Sequence, residues 1–277
     1  MKGTLYLVAT PIGNLEDITF RALRTLKEVD VILAEDTRKT LKLLNHFEIK
    51  KPLISFYRHN EGVKIEQVLG MLEEGKNLAL VSDAGTPAIS DPGEDLVRVL
   101  IENEINIVPI PGAVAAIQAL ICSGFDTTRF AFEGFLSINK RCRKERLEEL
   151  KNEERTMLFY EAPHKLTRTL DALKETFGPD RRIVLGREIT KIHEEMMRMT
   201  VQEAIDYYEE NDVKGEFVIV VEGTPKVVEE VTETVEELME RYLDEGMDKK
   251  EAMKLVAKEK GISKSEVYKI CLSKKDE

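Results

Sequence analysis

Residues 77–93 read NLALVSDAGTPAISDPG. An apolar run, LALV, stops at Ser82-Asp83, and Gly85, Pro87, Asp91, Pro92 and Gly93 follow almost without interruption. A connection that merely reverses the chain needs about two to six residues and one or two breakers. A short run with no polar alternation reads as a strand buried on both faces, as in a parallel sheet. The long small-residue segment after it reads as a loop shaped to hold something.

The same pattern recurs on either side. TLYLVAT (4–10) ends at Pro11, Gly13 and Asn14; VILAED (31–36), LISFY (53–57) and INIVPI (105–110) are further strands, the last closed by Pro111-Gly112. Helical spacing fills the intervals, with Thr19 as an N-cap, Gly75 as a C-terminal stop, and AVAAIQALI as a small-residue helix. Strands alternating with helices imply an α/β domain over residues 1–120, its parallel sheet covered on both faces. From 121 to 225 the rhythm changes. RFAFEGFL, RTMLFYEAP, RIVLGREIT and GEFVIVVEG are strands of a second, α+β domain. Residues 226–277 are helical in pattern, with breaks at Gly246 and Gly261.

The 277 residues are 42% hydrophobic and 34% charged with a net charge of −11, which excludes a protein coated in basic residues but not local basic patches. Cys122, Cys142 and Cys271 are far apart and lack metal-ligand spacing, so a reducing cytoplasm and no metal are expected. The N-terminal run is too short for a signal peptide, and no apolar run is long enough to span a membrane.

In open α/β sheets ligands bind beyond the carboxyl ends of the strands. TPIGN, DAGTPAISDPG and PGAVAA lie there, all rich in Gly, Pro and small residues that let main chain approach a ligand. Neither GxxxxGK[ST] nor GxGxxG is present, and Asp83 and Asp91 would repel a polyphosphate. The loops suit a cationic or neutral small molecule.

VATPIGNLEDIT resembles the N-terminal loop of the tetrapyrrole methylase superfamily. Together with SDAGTPAISDPG, PGAVAA, FYEAPHKL and REITKIHEE it resembles the branch that methylates ribosomal RNA of the small subunit. Over residues 3–223 the resemblance implies two α/β domains with S-adenosylmethionine bound in the cleft between them, and usually a homodimer. It further implies transfer to the ribose 2′-hydroxyl of a cytidine in the decoding region of 16S rRNA. Carried over by motif, the donor site comprises Ile12, Gly13, Asp83, Ala84, Gly85, Thr86, Pro87, Ala88, Ile89, Ser90, Val114, Ala115, Tyr160, Glu161 and Ala162. A sulfonium cation tolerates carboxylate neighbours, which agrees with the acidic loop.

Transfer to a hydroxyl needs alignment and a base. Glu35 in AEDTR is the first choice, because an acidic residue matching it acts on the substrate in the tetrapyrrole branch. Asp36 and Lys191 are placed with it as catalytic candidates. The alternative is an N-cap by Asp36, with Glu35 and Arg38 as a surface pair. Arg38, His59, Asn60 and His193 are assigned to the RNA, as are Lys140, Arg141, Arg143 and Lys144 of the basic run NKRCRKER (139–146), which could equally be a solvated helix face. Between Asp248 and Lys275 nine Lys face four acids, on a pattern resembling a helix-turn-helix with Ser263 as a cap. Two departures from the branch are Ser137, where Pro is common, and Met199, where Gly is expected. A tetrapyrrole methyltransferase of the same fold and a non-catalytic nucleic-acid-binding scaffold remain the competing readings.

Overall fold

The computed structural model describes residues 1–58, 61–225 and 233–273. The chain forms two compact units, Met1–Thr224 and Pro225–Glu277.

The first unit contains two five-stranded sheets. The first sheet is built from β1 (Thr4–Val8), β2 (Val31–Ala34), β3 (Leu53–Ser55), β4 (Leu78–Val81) and β5 (Asn106–Ile110), in the order β3-β2-β4-β1-β5. All its pairings are parallel, as the unbroken apolar runs predict. Alternate strand residues feed opposite cores. Val8, Ile32, Ala34, Ala79 and Val81 pack under α1 (Phe20–Glu28) and α2 (Thr37–His46). Leu5, Leu33, Leu78 and Leu80 pack under α3 (Glu61–Glu73) and α4 (Glu94–Glu102). The adjacent strands β1 and β4 therefore send their helices, α1 and α4, to opposite faces of the sheet. The crevice beyond their carboxyl ends is the switch point where such folds bind ligands. Thr19 caps α1 through its side chain, which accepts from the Ala22 N–H at 3.0 Å.

The second sheet has the order β6-β7-β10-β8-β9, from β6 (Phe130–Phe135), β7 (Thr156–Glu161), β8 (Arg182–Arg187), β9 (Glu195–Thr200) and β10 (Phe217–Val221). Only β6 and β7 are parallel; the other pairings are antiparallel. One face packs on α6 (Lys140–Glu149), α7 (Leu166–Phe177) and α8 (Val201–Glu210). The other packs on α5 (Ala115–Ser123), with Ile12 and Val114 joining the same cluster. The expected division at residue 120 falls within α5, which by packing is part of this second layer. Strand β9 was not anticipated. EMMRMT has no aromatic residue and only Thr as a β-branched one, so local propensity is weak and pairing with β8 decides the conformation. Met199 of that strand packs against the core under α6–α8.

Pro225–Glu277 holds α9 (Val235–Asp244), α10 (Lys249–Glu259) and α11 (Lys264–Ser273) around Leu238, Tyr242, Val256 and Val267. Thr234 and Glu237 form a capping box on α9, and Asp248 caps α10. Ser263 and Glu266 exchange the same reciprocal bonds ahead of α11. Gly246 (φ +85°) and Gly261 (φ +64°) occupy the breaks.

Gly93, ahead of α4, has φ +128°, and a Cβ there would lie 2.6 Å from Leu80 Cδ2 and 3.2 Å from Ala88 Cβ. Gly93→Ala is expected to destabilise the protein by about 1–3 kcal/mol. A lowered urea midpoint at unchanged slope reports this.

Candidate active site

Beyond the carboxyl ends of β1 and β4, the chain is tied together by main-chain bonds. Thr10 N–H donates to Gly85 O at 2.9 Å and Gly85 N–H returns to Thr10 O at 3.0 Å. The buried Thr10 hydroxyl donates to Ser82 O at 3.3 Å, and the Ser82 hydroxyl donates to Gly85 O at 3.1 Å. The Thr86 hydroxyl reaches Ala113 O at 3.3 Å, joining this loop to the one after β5. Gly85 has φ +86°, and Ala88 adopts φ +63° without being glycine. Such backbone costs about 1–3 kcal/mol and persists where the surroundings over-determine it. The turn residues noted in the sequence thus build a rigid rim rather than a simple reversal.

That rim borders a cleft of about 380 Å³ in the first unit. Ile12, Ala84, Gly85, Thr86, Ile89 and Ser90 line it from the first sheet, with Val114 and Ala115 entering α5. Phe135, Tyr160, Glu161, Ala162 and Val218 face them from the second sheet. The Tyr160 hydroxyl accepts from the Ala116 N–H at 3.3 Å, closing the start of α5, and burial pushes its pKa up. Glu161 is buried and spoken for: its carboxylate accepts from Thr169 Oγ1 at 2.5 Å and from the Ala162 N–H at 2.9 Å.

Three carboxylates form one wall: Glu35, Asp83 and Asp91. Asp83 accepts from the Asp36 N–H at 3.0 Å and from Lys39 Nζ at 2.8 Å. Burial, then the negative charges of Asp91 and Asp83, raise the Glu35 pKa, with Lys39 opposing. Burial and the nearby Asp83 raise that of Asp91, against a hydrogen bond from Ser82. A half-buried carboxyl held above its ordinary range beside like charges takes a proton more readily than a free carboxylate does.

Lys191 also lines the cleft, bonded to Glu188 at 2.9 Å and Glu216 at 2.8 Å. Burial works against its charge, but the two carboxylates outweigh that and raise its pKa. It stays a cation, so its expected catalytic part cannot be that of a base. Glu188 (φ +51°) and Thr190 (φ +69°) hold the loop in the left-handed region, where a β-branched residue is an outlier. The buried Thr190 hydroxyl has no hydrogen-bond partner among the described residues.

Other expectations resolve differently. Asp36 does not line the cleft; it caps α2 by accepting from the Arg38 N–H at 2.9 Å and pairs with the Arg38 guanidinium at 2.7 Å. The N-cap alternative is the one the geometry favours, with Asp36 rather than Glu35 paired to Arg38. Gly13 lies outside the cleft, against the second sheet's loop: a Cβ there would meet Lys191 Cγ at 2.3 Å. Pro87 and Ala88 shape the rim without lining it. His193 faces a neighbouring groove. Arg143 is buried and donates to Ser137 O at 3.0 Å and Ile138 O at 3.2 Å, so it holds the turn before α6 and is not available to phosphates. Lys140, Arg141 and Lys144 are exposed on α6, on the sheet face opposite α5; Arg141 pairs with Glu145 at 2.7 Å. His59 and Asn60 lie outside the described residues.

Lys39, Asp91, Phe135, Glu188, Glu216 and Val218 line the cleft without having been assigned to the site. Asp91 was within a motif already singled out, and Lys39 directly follows AEDTR. Glu216 and Val218 are at the start of a strand, and they reach the cleft because β10 runs antiparallel to β7 and β8. Among the described residues no group of His, Cys, Asp and Glu could hold a metal ion, and no helix is long and apolar enough to cross a membrane.

A family model described as Tetrapyrrole (Corrin/Porphyrin) Methylases matches residues 4–205. The chain is 50% identical over 274 residues to Ribosomal RNA small subunit methyltransferase I of Halalkalibacterium halodurans, covering 97% of this chain and 94% of that one. It is 47% identical over 272 residues to the protein of the same name from Synechocystis, covering 98% of each. Uroporphyrin-III C-methyl transferase from Thermus thermophilus, solved with S-adenyl homocysteine, shares the fold: TM-score 0.57, 16% identity, 79% of this chain and 97% of that one covered. The chain belongs to the tetrapyrrole methylase family, and within it to the group of ribosomal RNA small subunit methyltransferase I proteins.

Proposed function

We propose that the chain transfers a methyl group from S-adenosylmethionine to the ribose 2′-hydroxyl of a cytidine in the decoding region of 16S rRNA, as a cytoplasmic homodimer. The observation that carries this reading is the pairing of a main-chain-lined cleft with a wall of three carboxylates. A polyphosphate would be repelled there, since both nearby lysines are already bonded to carboxylates. A nucleoside bearing a positively charged sulfur fits: Ala84 to Thr86, Val114 and Ala115 would hold it, and Tyr160 and Ala162 would close the far side. The donor supplies an electrophilic methyl group on that sulfonium. The relatives' names support small-subunit rRNA as acceptor, and the motif resemblance supports the ribose hydroxyl.

The residues of this chain divide the remaining work. Ile12 and Val218 are apolar walls of the cleft, and the exposed Ile89 and Phe135 would be covered by a bound donor, which would exclude water and strengthen the charges inside. Glu35 accepts the hydroxyl proton on its carboxylate. Lys39 and the Asp36 N–H fix Asp83 beside it, and burial with neighbouring negative charge raises the pKa of Glu35 and of Asp91. Lys191, clamped by Glu188 and Glu216, holds the strained loop against Gly13 and so keeps the two sheets' loops in register.

Purified protein incubated with labelled donor and either small subunits or naked rRNA tests the reading, with nucleoside mapping of the product. Label in a 2′-O-methylcytidine is expected. No label in either RNA substrate, with label entering a porphyrin precursor supplied in a parallel incubation, would move the function to the tetrapyrrole branch. The helical unit, rich in lysine, is assigned to ribosomal binding. Deleting residues 229–277 is expected to weaken rRNA affinity while the heat of donor binding persists. Equal RNA affinity in both forms would remove that assignment.

A further inference from the structure

Outside the donor cleft, the loop 11–16 runs between α2 and the loop 188–193, with open space on each side. One space, about 260 Å³, is lined by Pro11, Gly13, Lys42 and Leu43, and shares Lys39 and Asp83 with the cleft. The other, about 820 Å³, is lined by Gly13, Glu16, His46, Ile192 and His193, and shares Glu188 and Lys191 with the cleft. Both therefore adjoin the cleft across shared side chains.

Lys39, Lys42 and His46 follow one another at three- and four-residue spacing along α2, so they form one face that rises about 5.4 Å per turn away from the cleft. All three are exposed. Lys39 is engaged by Asp83, but Lys42 has no ion pair among the described residues, and the His46 ring makes an edge contact with Phe47 at 4.7 Å. On the far bank His193 is exposed, and Ile192 is 97% exposed. The acids on these walls are Asp83, Glu188 and Glu16; Lys39 and Lys191 pair with the first two. On these walls Lys39, Lys42 and Lys191 are matched in number by those three acids. But α2 itself carries Arg38, Lys39 and Lys42 and no acid between Thr37 and His46, which makes its face a basic strip in a chain of net charge −11.

We infer that this face of α2, with the loop 11–16 and the His193 bank, is the track for the single-stranded RNA flanking the target ribose. Lys42 and His46 contact its phosphates, and Ile192 and the histidine rings offer surfaces to unstacked bases. The inference rests on RNA being the acceptor. It keeps His193, already assigned to the RNA from the sequence, and departs from the expectation that the α6 run carries the phosphates.

The test uses the full chain and a labelled single-stranded fragment of the 16S decoding region, with anisotropy measured over a range of salt. The Lys42→Glu/His46→Ala variant is expected to bind about tenfold more weakly at low salt, with a salt slope shallower by about 1 for each phosphate no longer neutralised. Its heat of S-adenosylhomocysteine binding should be unchanged. Lys174→Glu, an exposed change on α7, serves as the control for net charge. Affinity and slope equal to the wild type would overturn the track, as would an equal weakening in the control. If the variant binds RNA weakly in this way and the wild type methylates rRNA, the track and the function both stand. If the wild type binds no RNA and methylates another acceptor, the function falls and takes the track with it.

Discussion

Glu35→Gln is expected to lower kcat for methyl transfer by about 10²–10⁴-fold, the usual contribution of a positioned base. Its effect on donor affinity should be small, because Gln keeps the volume and polarity of the cleft wall. The rate of the wild type should fall on the acid side at a pH above the ordinary carboxylate range, since burial, Asp91 and Asp83 raise the Glu35 pKa and protonation removes the base. Stability moves the other way. A carboxyl whose folded pKa is raised contributes stability that is fully present below its ordinary value of 4.5 and is lost as pH rises through the folded value. At pH 7 the wild type carries that cost and the Gln variant does not. The variant should therefore unfold at an equal or higher urea concentration at neutral pH, while being nearly inactive. Loss of activity together with loss of stability would instead mark Glu35 as a structural residue.

Ala115→Phe should abolish the donor site sterically. Ala115 opens α5 and lines the cleft, where a phenyl ring would occupy space that a nucleoside needs. Donor affinity is expected to fall by about a hundred-fold, or about 2.8 kcal/mol, in calorimetry with S-adenosylhomocysteine. Ala115→Ser, which adds one small atom, should bind nearly as the wild type does. Undiminished binding by the Phe variant would mean that the nucleoside sits elsewhere.

The first sheet was legible because a strand buried on both faces has to be apolar throughout, as β2 and β4 are, while β1 and β5 are apolar after their first residues, Thr4 and Asn106. The helix ends were legible where capping chemistry is local, as at Thr19 and Ser263. Strand β9 was hidden because methionine has no strong local preference and its pairing partner is the determinant. Strand direction was hidden too, and with it the arrival of Glu216 and Val218 at the cleft. At the site, the small-residue loops and the acid at Glu35 could be read from type and position. The roles of Asp36, Gly13 and Arg143 could not. The first is fixed by the start of α2, the second by Lys191 from a distant loop, and the third by two carbonyls just ahead of its helix. Each looks like a ligand contact in a string of letters and becomes a packing or capping group in three dimensions.

Crystals grown with S-adenosylhomocysteine give the sharpest discrimination. Density for the nucleoside is expected within the cleft, between the 84–90 rim and Tyr160–Ala162, with Glu35 and Asp91 on the adjoining wall. Density lodged outside it, or a cleft closed by its own side chains while the ligand binds elsewhere, would contradict the proposed seat and the chemistry built on it.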